Sequence, residues 1–233
     1  MKQSDPFSGN RFIEIVTTSY ATFFLKKQES FKFEKKREYI KNVFKKMRNV
    51  VAKADNITQS IYFLSAYSAS PRWKKLFGKS SYFKYHYEFY LISEQGLFDR
   101  CLHLINAVFQ LGLKDRFVKS DIILSNINLK EFAGIDILKK FEKNIEKRRE
   151  KRNKVVHIQE YGDNLLDELE KREFFDKYRE AFKKGPQPKN STRAVDQMIR
   201  RVRASQLENS SVRVFEFVNA FINSLTDRVK QGL

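Results

Sequence analysis

Residues 82–111 run YFKYHYEFYLISEQGLFDRCLHLINAVFQL. Wound as a helix, this stretch places Tyr82, Phe83, Tyr85, Tyr87, Phe89, Tyr90, Leu91, Ile92, Leu97, Phe98, Leu102, Leu104, Ile105, Val108 and Phe109 on nearly every face. A helix that is apolar all round has no side to give to water, so it must be enclosed in a core or a subunit contact. One polar stripe survives along it: Glu88, Gln95, Asp99, His103, Asn106 and Gln110 follow at steps of seven, four, four, three and four, which keeps them on one side. Polar groups under cover need partners, so the stripe is expected to face a polar interface or an active site. Gly112 is the expected helix stop.

Upstream, residues 1–10 form a polar lead-in, and Arg11 to about Lys27 is expected to be helical on its dense apolar content. Ile40, Val43, Phe44, Met47, Val50, Val51, Ala54, Ile57, Ile61 and Leu64 recur at three- and four-residue steps, one face of a long helix, with Lys41, Lys45, Lys46, Arg48 and Lys53 on its other faces. Ser70-Pro71 and Gly78-Lys79-Ser80-Ser81 mark breaks. Downstream, residues 113–133 are mixed, with Ser120-Asp121 and Asn126 to Asn128 as cap or turn signals. Helix resumes near Ile135 and is expected to run into the charged stretch Glu146 to Lys154. Tyr161-Gly162-Asp163 marks a turn, Leu165 to Lys184 another helix, Gly185-Pro186-Gln187-Pro188 a linker, and Ser191-Thr192 the start of a last helix carrying Phe215, Val218, Ile222, Leu225 and Val229. Eight glycines and four prolines are too few for the many tight turns of a sandwich or barrel, so the predicted class is all-α.

The chain of 233 residues carries 46 Lys and Arg against 28 Asp and Glu, a net +18 whose long-range field favours an anionic partner. Nucleic acid and acidic membrane surfaces both qualify. No helix combines a basic face with a strongly insertable one, which disfavours the membrane. Cys101 is the single cysteine, so an intrachain disulfide is excluded and a reducing compartment is expected. No apolar h-region follows Met1-Lys2-Gln3 and no apolar run of about 18 residues appears, which makes a cytoplasmic location the expectation.

The chemistry concentrates at Arg152-Asn153-Lys154-Val155-Val156-His157, which closes the most basic run of the chain. A guanidinium neutralises phosphate, and imidazole titrates near neutral pH. On a regular helix a step of five rotates by about 140°, so Arg152 and His157 do not share a face, whereas Arg149, Asn153 and His157 do. Either the helix loosens before His157, or the residues converge on a site shared with a second chain. His157 also fits a plain structural role, its charge offsetting the dipole at a helix end. Three dispersed histidines and one cysteine offer no zinc spacing, and Gly78-Lys79-Ser80 lacks the upstream glycine of a phosphate-binding loop, so neither metal nor cofactor is expected. Arg200-Arg201-Val202-Arg203 fits a nucleic-acid contact or a solvated face equally well.

Arg152-Asn153-x3-His157, preceded by Glu88 to Gly112 with Phe98-Asp99-Arg100 and the Leu-Ile-Asn-Ala-Val-Phe-Gln-Leu-Gly ending, resembles the HEPN superfamily of helical proteins, in a bacterial defence-associated branch. The likeness covers roughly residues 60–230. It implies an all-α HEPN-like bundle of four to five core helices at 59–233, with an additional helical segment at 1–58 packed on or extending it. It implies a homodimer that brings two signatures into a composite cleft, RNA as substrate, and a cognate antitoxin or defence-system partner. It implies metal-independent cleavage with Arg152, His157 and Asn153 as catalytic residues, Arg149, Arg148 and Lys154 as substrate contacts, and Asp99, His103 and Glu88 as supports. Gln159 stands where some toxin members carry a tyrosine. The chemistry is self-consistent: RNA brings its own nucleophile, the 2′-OH, and an imidazole can take that proton or protonate the leaving 5′-oxygen. The alternative within the same fold is an RNA-binding or scaffolding protein that does not cleave.

Overall fold

The apolar face from Ile40 to Leu64 winds into one long helix because nothing interrupts its three-four spacing. In a computed structural model, which describes residues 6–25, 31–65, 78–156, 164–181 and 204–233, the protein is all-helical, with no strand among the described residues. The helices are α1 (Arg11–Leu25), α2 (Phe31–Ser65), α3 (Lys79–Val108), α4 (Ser120–Leu124), α5 (Gly134–Glu146), α6 (Arg149–Val156), α7 (Asn164–Ala181), α8 (Ala204–Ser224) and α9 (Thr226–Gly232). They divide between two compact units: Met1–Asp55 with Ser93–Lys147 and Arg213–Leu233, and Asn56–Ile92 with Arg148–Val212. Helices α2, α3 and α8 contribute residues to both.

The first unit is built on the expected apolar faces. Ile40, Val43, Met47, Val50 and Ala54 of α2 are buried, as are Leu97, Phe98, Leu102, Leu104, Ile105 and Val108 of α3. Helix α5 buries Ile135, Leu138, Phe141 and Ile145 at helical spacing, α8 buries Val218 and Ile222, and Leu225 and Val229 are buried at the turn after α8 and within α9. Phe141 meets Phe98 edge-on, ring centres 5.4 Å apart, and stacks toward Phe217 at 6.0 Å. The lead-in is fastened by two asparagines. Asn10 caps α1 by accepting from the Ile13 N–H at 3.2 Å and donates to Asn219, which donates to the Pro6 carbonyl at 2.6 Å. Helix α1 packs on α9. A Cβ on Gly134 would lie 2.3 Å from the Phe132 ring and 2.7 Å from Ser224 Oγ, so a side chain at the start of α5 would have to displace both.

The end of α3 departs from expectation. The helix stops before Gly112: Gln110 takes the left-handed conformation (φ 51°), and Gly112 supplies a second positive φ beyond it. The Leu111 N–H reaches the Asn106 carbonyl at 3.1 Å and the Gln110 N–H reaches Ala107 at 3.3 Å, a Schellman termination with a non-glycine residue at its strained position. The exit path is then fixed by the Asn106 side chain, which donates to the Leu113 carbonyl at 2.9 Å and accepts from the Leu113 N–H at 3.2 Å. Tyr39 completes this end by donating to the Val108 carbonyl at 3.2 Å; burial pushes its phenol up to about 12. Of the other loop signals, Asn126 accepts from the Asn128 N–H at 2.9 Å as a cap, whereas Ser120 bonds Glu142 and Lys119 precedes α4 without a side-chain cap.

Helix α5 does not continue into the charged run. It ends at Glu146, with a turn at residues 147–148 before α6. The apolar stripe of α5 ends at Ile145, and the next turn carries Lys147, Arg148, Arg149 and Lys151; like charges three and four residues apart disfavour an unbroken helix.

In the second unit the N-terminus of α3 is capped from far along the chain. The Glu173 carboxylate accepts from the Lys79 N–H at 2.6 Å, the Ser80 N–H at 3.2 Å and the Ser80 hydroxyl at 2.5 Å, neutralising amides that no intrahelical carbonyl can reach. His86 sits among aromatic rings: Tyr82 at 4.5 Å, Phe63 at 4.8 Å and Tyr85 at 5.2 Å. Its Nδ1 is buried without a hydrogen bond, and burial holds its pKa below 6.5. Ile57, Ile61, Leu64, Phe83, Tyr87, Tyr90, Leu166 and Leu169 are buried here, while Tyr62, Tyr85, Phe174, Phe175 and Tyr178 are exposed. The expected signals at Ser70-Pro71, Tyr161-Gly162-Asp163, the 185–188 linker and Ser191-Thr192 lie outside the described residues.

Two predictions follow from these local arrangements. Gln110→Gly should raise stability by about 1 kcal/mol, because a left-handed residue with a Cβ is strained by roughly that much. Asn106→Ala should lower it by about 1–3 kcal/mol by orphaning both Leu113 backbone groups; urea midpoints of the two variants should move in opposite directions. The second concerns pH. His86 has a folded pKa below its unfolded value of 6.5, so its stabilising neutral form is complete above that pH. As pH falls below 6.5 the unfolded chain takes the proton first, and stability declines until the folded pKa is passed. His86→Phe should flatten that decline in urea titrations repeated down the pH scale.

Candidate functional site

The basic helix α6 reads REKRNKVV. The Arg152 N–H donates to the Arg148 carbonyl at 3.0 Å, which fixes the backbone beneath the guanidinium. Arg152 and Asn153 are both half-buried and bond to each other: Arg152 Nη2 donates to Asn153 Oδ1 at 2.6 Å, and Nε donates to the same oxygen at 3.2 Å. The single acceptor of the asparagine side chain is thereby used up. What remains on the pair is the Asn153 amide nitrogen and the other guanidinium N–H groups, all donors. A donor-only edge with a fixed positive charge matches the oxygens of a phosphate.

The other expected residues are distributed as follows. Arg148 is half-buried and Arg149 exposed, both in α6 or its approach. Lys154 lies on α6, its side chain outside the described set, and His157 follows α6 outside the described residues. Glu88 is half-buried in the same unit as Arg152. Asp99 and His103 belong to the other unit, one turn apart on α3. Asp99 is exposed and accepts from Gln95 Nε2 at 3.2 Å. His103 is largely buried; its Nδ1 lies 3.3 Å from Asp115 Oδ1, close but not aligned for a hydrogen bond. Burial holds the His103 pKa below 6.5, with Lys46 and Arg100 pushing the same way against Asp115 and Asp99. The structure therefore joins Arg152 to Asn153, and groups Asp99 with His103.

Two acidic residues with structural weight escape the sequence reading. Glu94 is buried within α3, outside the Glu88 to Gln110 stripe; an acid inside so apolar a stretch was itself the signal. Glu173 caps α3 from 94 positions away, and no local pattern announces such a partner. Cys101 is a buried small hydrophobe, its thiol pushed up by burial. Among the described residues, no helix is long and apolar enough to cross a membrane, and no group of three or more His, Cys, Asp and Glu could hold a metal ion.

No curated protein and no solved structure matches the chain. The model of the Cthe2314-like HEPN family matches it over residues 47–203. The match begins inside α2, earlier than the resemblance visible in the sequence, and stops short of α8. It includes the all-apolar helix, the Arg152–Asn153 pair and the whole hexad to His157, and it takes in more than half of the chain. With an all-helical structure around that span, the chain belongs to the HEPN superfamily, as a Cthe2314-like HEPN protein.

Proposed function

We propose that this protein is a metal-independent RNA endonuclease of the HEPN type, acting in the cytoplasm in antiviral defence or as a toxin, with a cognate antitoxin or defence-system partner. The observation that supports the reading is the Arg152–Asn153 pair: within the family-matched span, the residue next to the arginine spends its only side-chain acceptor on holding that arginine. In this reading Arg152 holds the scissile phosphate as negative charge builds on it, and Arg149, Arg148 and Lys154 hold flanking phosphates. His157 takes the 2′-OH proton; that oxygen attacks phosphorus and the 5′-oxygen leaves with a proton. The products are a 2′,3′-cyclic phosphate and a 5′-hydroxyl. A homodimer brings two His157 side chains to one cleft, one as base and one as acid. Residues 59–233 carry the domain that cleaves, and 1–58 form a helical segment packed on or extending it; Asp99, His103 and Glu88 support it.

The test is cleavage of total RNA in EDTA. Arg152→Ala and His157→Ala should each lower the rate by about 100-fold or more, the usual scale of a lost phosphate clamp or proton-transfer group. Asn153→Ala should cost about tenfold, consistent with removing a group that orients rather than reacts. Fragments should accept a 5′-phosphate from a kinase without prior phosphatase treatment. Cleavage that survives in the Arg152 or His157 variant, or that needs a divalent metal, sinks the mechanism. Salt-sensitive RNA binding without cleavage would instead identify a scaffold, and a strict monomer by light scattering would remove the shared cleft.

A further inference from the structure

A second concentration of positive charge lies in the unit that does not contain Arg152. Lys46 of α2 and His103 of α3 have side chains only 17% and 13% exposed. Both lean on one group, Asp115, whose side chain is 78% exposed on the loop after α3. Lys46 Nζ donates to Asp115 Oδ1 at 3.1 Å, and His103 Nδ1 approaches the same oxygen at 3.3 Å without an aligned hydrogen bond. Two largely covered nitrogens thus share one oxygen of a carboxylate that could equally be in water. The surroundings add to the imbalance. Lys45 also acts on Asp115, Arg100 acts on His103, and the remaining acid, Asp99, is engaged by Gln95. Lys114 and Arg116, both exposed, flank Asp115 in the chain. The loop is tied at its base by Asn106 on Leu113 and stiffened by a 3-10 turn over Asp115–Phe117.

We propose that Lys46 and His103 form a binding site for a phosphate group, closed in this structure by the Asp115 carboxylate acting as a tethered competitor. A carboxylate here shows what the site selects, and a phosphate meets the selection better. Its oxygens can accept separately from the Lys46 ammonium and the His103 Nδ1–H, where Asp115 offers one oxygen to both. The ligand is a phosphate with no other constraint, either a backbone phosphodiester of RNA or a free phosphate. The site belongs to the other unit from Arg152, and its phosphate binding is tested without reference to cleavage. Its pH dependence follows from the groups that face His103: Lys45 and Lys46 from α2, Asp99 and Arg100 from α3, and Asp115 from the loop. Burial and the cations keep the imidazole neutral near pH 7, and an arriving phosphate anion favours its protonated form, so binding takes up a proton and tightens as pH falls.

The experiment uses the full chain and two ligands: inorganic phosphate by calorimetric titration, and a 2′-O-methyl oligoribonucleotide without terminal phosphates by fluorescence anisotropy. The second offers phosphodiesters but no nucleophile, so binding is read without cleavage. Asp115→Asn should tighten the ligand by about fivefold, the equivalent of one exposed ion pair. Lys46→Gln and His103→Gln should each weaken it by about tenfold, the scale of a charge-assisted hydrogen bond. Lys46→Arg should retain binding, and Lys143→Gln, an exposed α5 lysine outside the cluster, should leave it within about twofold. Affinity for the oligonucleotide, whose phosphodiesters do not titrate in this range, should rise between about pH 7.5 and about pH 5.5 in wild type and not in His103→Gln. Whichever ligand shows this pattern names the source of the phosphate. The proposal is overturned if neither ligand binds wild type or Asp115→Asn, if Asp115→Asn fails to tighten, or if Lys143→Gln costs as much as Lys46→Gln.

Discussion

The structure depends on one constraint: α3 is apolar on most of its sides, and only the face that carries Ser81, Tyr85, Ile92 and Asp99 is left to water. Its buried residues include Phe83, Tyr87, Tyr90, Leu97, Phe98, Leu104 and Ile105. At about 1.5–3 kcal/mol for each large side chain fully removed from water, no arrangement that strips α3 of its neighbours competes. A helix so enclosed has its polar ends enclosed with it, and those ends need partners. At the N-terminus Glu173 supplies two acceptor oxygens to two amides and a hydroxyl; at the C-terminus Tyr39 and Asn106 take the last carbonyl and the outgoing strand of chain. Long-range polar contacts therefore collect where a buried helix would otherwise leave backbone groups unpaired.

Charge is arranged by the same logic in reverse. The apolar stripes of α2 and α5 leave their other faces to lysine, and most of those lysines are exposed, so they contribute to the field rather than to the core. Two places differ. At Arg152 the charge is half-buried and held by Asn153; at Lys46, beside the largely buried His103, it is largely buried and answered by one exposed carboxylate. A strongly basic chain that tucks a few of its cations under cover, with fewer anions beside them, concentrates its field where a ligand oxygen can exploit it. The surplus of +18 is diffuse over most of the surface and local at these two positions.

The helices were legible from spacing alone. The face from Ile40 to Leu64, apart from the half-buried Phe44 and Val51, and the set Ile135, Leu138, Phe141 and Ile145 are buried as their periodicity requires. What was hidden depends on contacts between distant residues. Gly112 is the obvious stop by conformational freedom, yet the Asn106 side chain draws Leu113 back and forces the left-handed residue to Gln110. Glu173 caps a helix from the far side of the sequence. The break after Glu146 was a local conflict, apolar spacing giving way to like charges, and was readable only by weighing repulsion against helix propensity. At the site, the hexad announced residue types, but the hydrogen bonds from Arg152 to Asn153 could not be foreseen from adjacency, because neighbours on a helix point about 100° apart and meet only when a long side chain turns back.

That turning back matters for what a phosphate would encounter. A free arginine carries about 2 kcal/mol of rotamer entropy, which a ligand must remove before the guanidinium fork can serve it. In Arg152 part of that freedom is already gone, because two of its nitrogens are pinned to Asn153 Oδ1. The pinning costs no positive charge, and it leaves the outer donors beside the Asn153 amide nitrogen, so the two side chains act as one rigid donor edge. Preorganised donors are worth most where charge develops during a reaction, since they need not reorient as it grows. An asparagine achieves this where an aspartate would not: a carboxylate would hold the guanidinium as firmly but would cancel its charge and repel the phosphate.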